Sequence, residues 1–181
     1  INYFSEKGYF LNNKQNFYSL ISNLLNQKKI ITLDVGAQGG FNSDEFILNK
    51  YNSFFEPILV EPIKEEAEQL KKNHKYVIDN ALWSSKTKKE IFILGNRLGS
   101  SSMYEPDSNF FDIHKIKKEN YKDFEVTKKI EVSCETLNSS LEILNINKID
   151  YLKIDTQGAE LEILKGIGNY KPLLIRIESH I

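Results

Sequence analysis

The residues best suited to chemistry lie where an apolar run ends on an acid and a glycine follows. The run DYLKIDTQGAE at residues 150–160 places Asp155 after an apolar stretch, with Gly158 and Glu160 close behind. Open α/β sheets bind ligands at the carboxyl ends of parallel strands, which is where this acid falls. A second junction of the same kind, ITLDVGAQGG, occupies residues 31–40. Together the two junctions predict a site for a nucleotide-like cofactor.

The glycine-rich junction permits a sharp backbone turn and a close approach of the ligand. Glu61 follows Gly40 by 21 positions and can accept two hydrogen bonds from a ribose diol, as acids at this place do in dinucleotide-binding folds. The spacing is not G-x-G-x-x-G, so a nicotinamide dinucleotide is weakly supported, and it is not that of a P-loop. For the glycines alone, a turn that merely connects strand to helix is the alternative interpretation.

Length, charge and cysteine content restrict the class of protein. A chain of 181 residues suits one core rather than two domains. The net charge of −1 gives no long-range attraction to nucleic acid, and no apolar run reaches the roughly 20 residues of a membrane span. The single cysteine, Cys134, excludes an internal disulfide and fits a reducing compartment. We therefore expect a cytoplasmic protein, and the start at Ile1 rather than Met indicates a trimmed amino terminus.

Apolar strands that alternate with amphipathic helices predict an α/β fold with a mostly parallel sheet. Strands are predicted at residues 30–35, 55–61, 76–78, 90–94 (an additional edge strand), 129–133, 151–155 (the central strand) and 173–178. Helices are predicted at residues 14–25, after Ser43, at 63–70, after Thr136, and at 159–165, where Gly166 would be a left-handed terminal residue. Residues 95–124 predict a loop with one or two short helices. The predicted domains are an N-terminal helical segment, 1–29, packed on the sheet, and a catalytic domain, 30–181.

Four motifs resemble those of the FkbM family of S-adenosylmethionine-dependent methyltransferases. They are LDVGAQGG at 33–40, VEP at 60–62, GSSSM at 99–103 and IDYLKIDTQGAE at 149–160, in the family's order. The resemblance covers the chain from about Ile30 to its end. It implies a class I methyltransferase fold, a Rossmann-like three-layer sandwich, and methyl transfer that commonly goes to a hydroxyl of a sugar or natural product.

Two departures from the family pattern fall within these motifs. Gln38 stands where the family usually has Asn, so a contact near the cofactor's amino-acid end is longer or shifted. Thr156 and Gln157 stand where Val and Glu are frequent. The second departure removes a carboxylate and leaves Asp155 and Glu160 as the local acids. An acid in the first turn of a helix is favourable without any catalytic role, so Glu160 is expected to be structural.

The resemblance implies S-adenosylmethionine as the cofactor and assigns it residues from the first half of the chain. Asp34 would lie near its amino group. The methionine portion would be lined by Gly36, Ala37, Gln38 and Gly40, the ribose held by Glu61 with Pro62 of the same motif, and the adenine flanked by Asn80, Ala81 and Leu82.

Methyl transfer is an in-line displacement, and a hydroxyl acceptor benefits from a general base within hydrogen-bond reach. Asp155 is the first catalytic candidate, with a cofactor contact or a backbone brace as the alternative. Glu178 and His180 are two positions apart and can point the same way from a strand end, and His180 titrates near neutral pH. No metal is demanded by the spacing, although Asp155 and Glu178 would suit a divalent cation if they converged.

The predicted sheet stops after its fifth main strand, whereas a complete class I methyltransferase sheet has seven. We therefore expect either a homodimer through an exposed edge or an incomplete chain. The leading functional hypothesis is an O-methyltransferase for a small-molecule or glycan hydroxyl. The alternative is a non-catalytic nucleoside-binding module that serves assembly. Five aromatic residues predict either an acceptor lid or a local core under a loop: Tyr104, Phe110, Phe111, Tyr121 and Phe124.

Overall fold

The computed structural model describes residues 14–41, 51–107, 109–113 and 115–178, within which strands and helices alternate along the chain. The helices are α1 (Lys14–Leu25), α2 (Lys64–Lys71), α3 (Phe110–Ile113), α4 (Leu137–Ile143) and α5 (Glu160–Lys165). The strands are β1 (Ile30–Val35), β2 (Phe55–Val60), β3 (Tyr76–Ile78), β4 (Ala81–Leu82), β5 (Thr87–Leu94), β6 (Val126–Glu135), β7 (Tyr151–Ile154) and β8 (Leu174–Ile177). None of the helices in this described part is long and apolar enough to span a bilayer.

Five parallel strands form the main sheet in the order β3-β2-β1-β7-β8, which confirms the predicted parallel α/β fold. The chain builds outward from β1 through β2 to β3, and later returns to place β7 on the other side of β1. The predicted central strand, β7, is therefore an interior strand, and β1 holds the centre. The strand order reverses between β1 and β7, and such a switch point is where open α/β sheets bind ligands.

Alternating side chains give the main sheet two different faces. Leu33, Ile58 and Leu152 are fully buried on one face, in a cluster shared with side chains of α4, α5 and a second sheet. On the other face Leu59 packs with Leu70 of α2. Helices thus cover both faces of the sheet, as the predicted three-layer sandwich requires.

The second sheet has the strand order β4-β6-β5, with β5 antiparallel to β6 and β4 parallel to it. The predicted strand at residues 90–94 is an edge strand of this sheet, not of the main one. A short apolar run indicates a strand but does not identify its partner, so the pairing was not predictable from this segment. Cys134 of β6 is buried in the shared core and free of any disulfide.

Helix boundaries follow local signals, with one correction to the predicted details. The Thr136 hydroxyl accepts a hydrogen bond from Ser139 N at 3.0 Å and caps α4 as predicted. Gly166 ends α5 with φ of −87°, so it is not left-handed. Glycine is needed there because a Cβ would lie 2.5 Å from the Trp83 carbonyl oxygen. The predicted helix start at Ser43 lies outside the described residues.

The first helix has the predicted bounds, but its apolar face is not fully covered. Leu24 is 71% exposed and Leu20 is also exposed, whereas Ile21 and Leu25 of the same face are half-buried. Tyr18 contacts the segment before β2: its hydroxyl lies 2.9 Å from Ser53 Oγ and its ring 4.5 Å from that of Phe54. The helical period predicted α1 correctly, but it did not identify the surface against which the helix packs.

Residues 95–124 form a loop with short helical turns, as predicted: α3 and two 3-10 turns, Leu98–Ser100 and Lys118–Phe124. Phe111 stacks on Tyr121 at 4.2 Å between ring centroids and meets Phe124 edge-on at 5.8 Å. These three rings form a local core. Tyr104 is half exposed and lies near the turn after β7, while the Phe110 side chain lies outside the described part.

Asp150 fastens the amino-terminal ends of three parallel strands. Its Oδ2 accepts a hydrogen bond from Ile31 N at 2.9 Å, and its backbone N donates to Ile31 O at 2.8 Å. Its carbonyl oxygen accepts from Leu173 N and Leu174 N. Partial burial opposes ionisation, but the bonds from Ile31 N and Lys148 outweigh it and hold the pKa of Asp150 below its ordinary value.

We predict that Asp150→Ala lowers the free energy of unfolding by about 1–3 kcal/mol, because Ile31 N loses its side-chain acceptor. Lys148→Ala is the matched control, since Lys148 is an exposed partner of the same carboxylate and such pairs contribute about 1 kcal/mol or less. Urea unfolding at pH 7 measures both changes. Equal effects of the two substitutions would contradict this role for Asp150.

Candidate active site

The main cleft opens at the carboxyl ends of β1, β2 and β7, on the switch point of the sheet. It holds about 710 Å³ of space between protein atoms, part of it open to solvent. Its apolar wall comes from four strands and the residue before α2: Val35, Val60, Ile63, Leu82 and Ile91. Its polar groups are Gln38, Glu61, Ser101, Ser102, Asp155, Thr156 and Gln157.

A second, polar cleft adjoins the first along the glycine turn after β1. It is lined by the turn residues 36–40 together with Gly99, Lys153 and Asp155. Four residues line both clefts: Gly36, Gln38, Gly99 and Asp155. The two clefts therefore adjoin one another along these four residues.

Gly36 lies directly against the residue that follows β7 at the switch point. A Cβ at this position would lie 1.9 Å from the carbonyl oxygen of Asp155, and φ is +86°. Both the missing side chain and the left-handed backbone require glycine. Asp155 N donates to Val35 O at 2.9 Å, and Gly36 N donates to Val60 O at 3.2 Å. The turn is thus tied to the strands on both sides of β1.

Glu61 presents a buried carboxylate at the end of β2. It is only 4% exposed; its Oε1 accepts a hydrogen bond from Ile63 N at 2.8 Å, while its Oε2 accepts none from the described residues. Burial raises the pKa of Glu61 to about 7, and Glu66 adds to the increase, while the bond from Ile63 N opposes it. A carboxylate with a raised pKa inside a cleft is typical of a functional position.

Asp155 is oriented by Gln157, one of the residues that depart from the pattern of the family that the chain resembles. Gln157 Nε2 donates to Asp155 Oδ1 at 3.0 Å, and Gln157 holds a left-handed φ of +57°. A non-glycine residue in this conformation is uncommon and costs energy that the surrounding contacts must offset. The amide at position 157 therefore fixes one oxygen of Asp155, which an acid in its place would repel.

Glu160 braces the loop that carries Asp155. Its Oε1 accepts three hydrogen bonds of 3.0 Å, from Thr156 N, Thr156 Oγ1 and Gly158 N. The carboxylate thereby satisfies backbone donors ahead of α5, near the positive end of the helix. The structural role predicted for this acid agrees with its contacts.

Ser101 and Ser102 of the segment 99–103 line the main cleft. The sequence identifies this segment as a family motif but predicts no site residue in it. Ser102 exchanges two backbone hydrogen bonds with Phe92 of β5. Its Oγ donates to Gln157 O at 2.6 Å and accepts from Tyr104 N. Ser102 thus links the second sheet to the Asp155 loop. A run of serines beside an irregular segment gave no signal for this link.

The predicted site residues separate into those that line a cleft and those that do not. The main cleft is lined by Gly36, Gln38, Glu61, Pro62, Ala81, Leu82 and Asp155, and the polar cleft by Ala37 and Gly40 besides the shared residues. Asp34, Asn80 and Glu178 line neither cleft. The backbone of Glu178 is nevertheless next to that of Asp155, because Ile177 pairs with Ile154 and Glu178 N donates to Ile154 O at 3.0 Å. His180 lies outside the described residues.

Asp34 lies under the polar cleft, paired with a lysine. It is fully buried, and Lys153, its cross-strand partner on β7, places Nζ 3.3 Å from Asp34 Oδ1. Burial raises the pKa of Asp34, although the charges of Lys153 and Arg176 oppose this. Across residues 14–41, 51–107, 109–113 and 115–178, no three His, Cys, Asp or Glu side chains converge in a metal-binding cluster.

Comparison with known proteins adds one match. A family model described as "Methyltransferase FkbM domain" matches residues 34–180. No curated protein and no solved structure matches the chain. The match spans both clefts and every strand of the structure except the beginning of β1.

We predict that Gly36→Ala lowers the free energy of unfolding by about 3 kcal/mol, because the new methyl group collides with the Asp155 carbonyl and strains a left-handed residue. Gly99→Ala is the control: it lines the same clefts, but its Cβ would meet only Gln38 Oε1 at 3.6 Å. The control should change stability by less than about 0.5 kcal/mol. A tolerated Gly36→Ala in denaturant titration would refute the close approach.

We further predict that Glu61 makes stability fall as the pH rises from about 4.5 to 7. Its raised pKa means that the folded chain binds this proton more tightly than the unfolded chain, so ionisation favours unfolding. The rise in the pKa of Glu61 from 4.5 to about 7 corresponds to about 3 kcal/mol of folding free energy. In Glu61→Gln this component disappears, whereas Glu90→Gln, at an exposed position of β5, should retain it. Urea unfolding at pH 5 and pH 8 tests this, and parallel profiles for wild type and Glu61→Gln would contradict it.

Proposed function

This chain belongs to the FkbM methyltransferase family, and we propose that it transfers a methyl group from S-adenosylmethionine to a hydroxyl oxygen. The acceptor we propose is a sugar, a glycan or another small hydroxyl-bearing molecule. Supporting this proposal, a buried carboxylate, Glu61, and a cleft-lining carboxylate, Asp155, share one cleft at the switch point of the sheet. A site with this arrangement can hold a nucleoside at one end and an acceptor oxygen beside it.

The residues present fit the cofactor. Gly36 and Gly40 of the turn after β1 carry no side chain and line the clefts, which permits a close approach of a ligand to the backbone. Glu61 Oε2 is suited to accept hydrogen bonds from ribose hydroxyls, and the apolar side chains of Leu82 and Ile91 line the same cleft, where an adenine ring would pack. When bound, S-adenosylmethionine supplies an electrophilic methyl group on a sulfonium.

Asp155 is the residue we propose as general base. With Oδ1 engaged by Gln157, Oδ2 is the atom that takes the proton of the acceptor hydroxyl. The Gln157 amide and the Glu160 brace hold this carboxylate in place before the acceptor arrives, so little ordering is needed at the moment of reaction. Glu178 and His180 remain further candidates, although Glu178 lines neither cleft.

We also propose how the chain associates with itself and where in the cell it acts. Strand β8 pairs only with β7 among the described strands, and Leu173, Leu174 and Ile175 beside or within it are exposed. An exposed strand of this kind is suited to pair with a second copy, so we retain the predicted homodimer. The buried, unpaired Cys134 agrees with a reducing, cytoplasmic setting, and no nucleic-acid partner is proposed.

Calorimetry with S-adenosylhomocysteine tests the cofactor, and transfer from methyl-labelled S-adenosylmethionine to a panel of sugars, glycans and phenols tests the reaction. We expect binding and transfer to at least one acceptor. Absence of binding to the full chain would refute the proposed function. Binding without transfer to any acceptor would favour the non-catalytic assembly module.

We predict that Asp155→Asn lowers the rate of transfer to that acceptor by about 10²- to 10⁴-fold, the contribution of a positioned base, with S-adenosylhomocysteine affinity within about 3-fold of wild type. Asp112→Asn, at an exposed position of α3, is the matched control. Glu178→Gln and His180→Gln test the two other candidates for the general base in the same assay. A larger loss in either of these than in Asp155→Asn would assign the base elsewhere.

A further inference from the structure

We infer that Lys153 binds the carboxylate at the amino-acid end of the cofactor, and that Asp34 is the residue that positions Lys153 for this task. This inference rests on the proposed function and deepens it. It reassigns Asp34, for which the resemblance implies a place near the cofactor's amino group. The argument rests on a buried ion pair beneath the polar cleft and on which of its two members reaches that cleft.

Asp34 itself is not placed to bind a ligand. Its side chain is fully buried, it lines neither cleft, and neither of its oxygens accepts a hydrogen bond of good geometry from the described residues. Its nearest cation is Lys153 Nζ at 3.3 Å. A buried carboxylate with so little hydrogen bonding is costly unless its charge is balanced, so Asp34 depends on that ammonium group.

Lys153, in contrast, contacts both the buried Asp34 and the polar cleft. Its side chain is 15% exposed, and it lines the polar cleft together with the glycine turn. The ammonium group has three donors, and Asp34 Oδ1 lies close to only one side of it. A cation held on the wall of a cleft favours an anionic ligand group, most strongly a carboxylate that can pair with it.

The residues that line both clefts indicate which carboxylate this is. Asp155 and Gly36 line both, so a ligand whose nucleoside lies beside Glu61 extends past them toward Lys153. The amino-acid portion of S-adenosylmethionine or S-adenosylhomocysteine carries a carboxylate at that end. Within the polar cleft of the described residues, Lys153 supplies the cationic side chain.

The competing explanation is that Lys153 only neutralises Asp34. Arg176 bears on this, because it is the cross-strand neighbour of Lys153 on β8 and its charge also favours ionised Asp34. Because Arg176 is a second cation near Asp34, Lys153 is not the sole group that balances the charge of Asp34 among the described residues. It also means that the lysine can be replaced without leaving Asp34 entirely unbalanced.

A pair of ligands separates the two roles by calorimetry. S-adenosylhomocysteine carries the amino-acid portion, and 5′-methylthioadenosine has the same nucleoside and sulfur but lacks it. We expect Lys153→Met to weaken S-adenosylhomocysteine about 10- to 100-fold, the loss of a charge-assisted contact, while 5′-methylthioadenosine changes by less than about 3-fold. Lys153→Arg should retain part of the preference for S-adenosylhomocysteine over 5′-methylthioadenosine. Asp34→Asn should lower the affinity for S-adenosylhomocysteine alone, and by less than Lys153→Met does.

If Lys153→Met does not fold, the double variant Asp34→Asn/Lys153→Met removes both charges together and carries the same expectation. Equal losses for the two ligands, or unchanged affinity for both, would overturn the inference. The proposed function fails by a different result, which is that the wild-type chain binds neither ligand.

Discussion

The close approach of the Gly36 backbone to the Asp155 carbonyl is the contact on which the site depends. It occurs because β1 and β7 are neighbours in the sheet although more than a hundred residues separate them in the chain. A side chain at position 36 would keep the two strand ends apart. Only with the strands in contact do the glycine turn and the Asp155 loop face the same opening, so the cleft follows from a backbone constraint.

One face of the main sheet stabilises the fold, and the other carries charged groups beside the polar cleft. One face buries Leu33 and Leu152 against α4, α5 and the second sheet, which supplies apolar burial. The opposite face of the same two strands carries the Asp34–Lys153 pair. Strand alternation therefore places a charged pair directly behind an apolar core, and the strand ends expose that charge to the polar cleft.

Local signals predicted much of the fold. The strand bounds at β1 and β3, the Thr136 cap and the family's cleft glycines could all be inferred from short patterns with a direct physical meaning. Features that depend on distant partners could not. The pairing of β5 with β6, the Ser102 link to Gln157, and the need for glycine at position 166 arise from contacts between segments far apart in sequence. Asp34 illustrates this limit, because the family resemblance implied only a place near the cofactor's amino group, and the pairing of Asp34 with Lys153 follows from the register of β1 and β7.

The central claim is that one ligand occupies both clefts, with its nucleoside at Glu61 and its amino-acid end at Lys153. A crystal structure of the full chain with S-adenosylhomocysteine tests this claim most directly. We predict ribose hydroxyls within about 3 Å of the Glu61 carboxylate, the amino-acid carboxylate paired with Lys153, and Asp155 beside the sulfur. A ribose bound away from Glu61, or a ligand outside the β1–β7 switch point, would contradict this account.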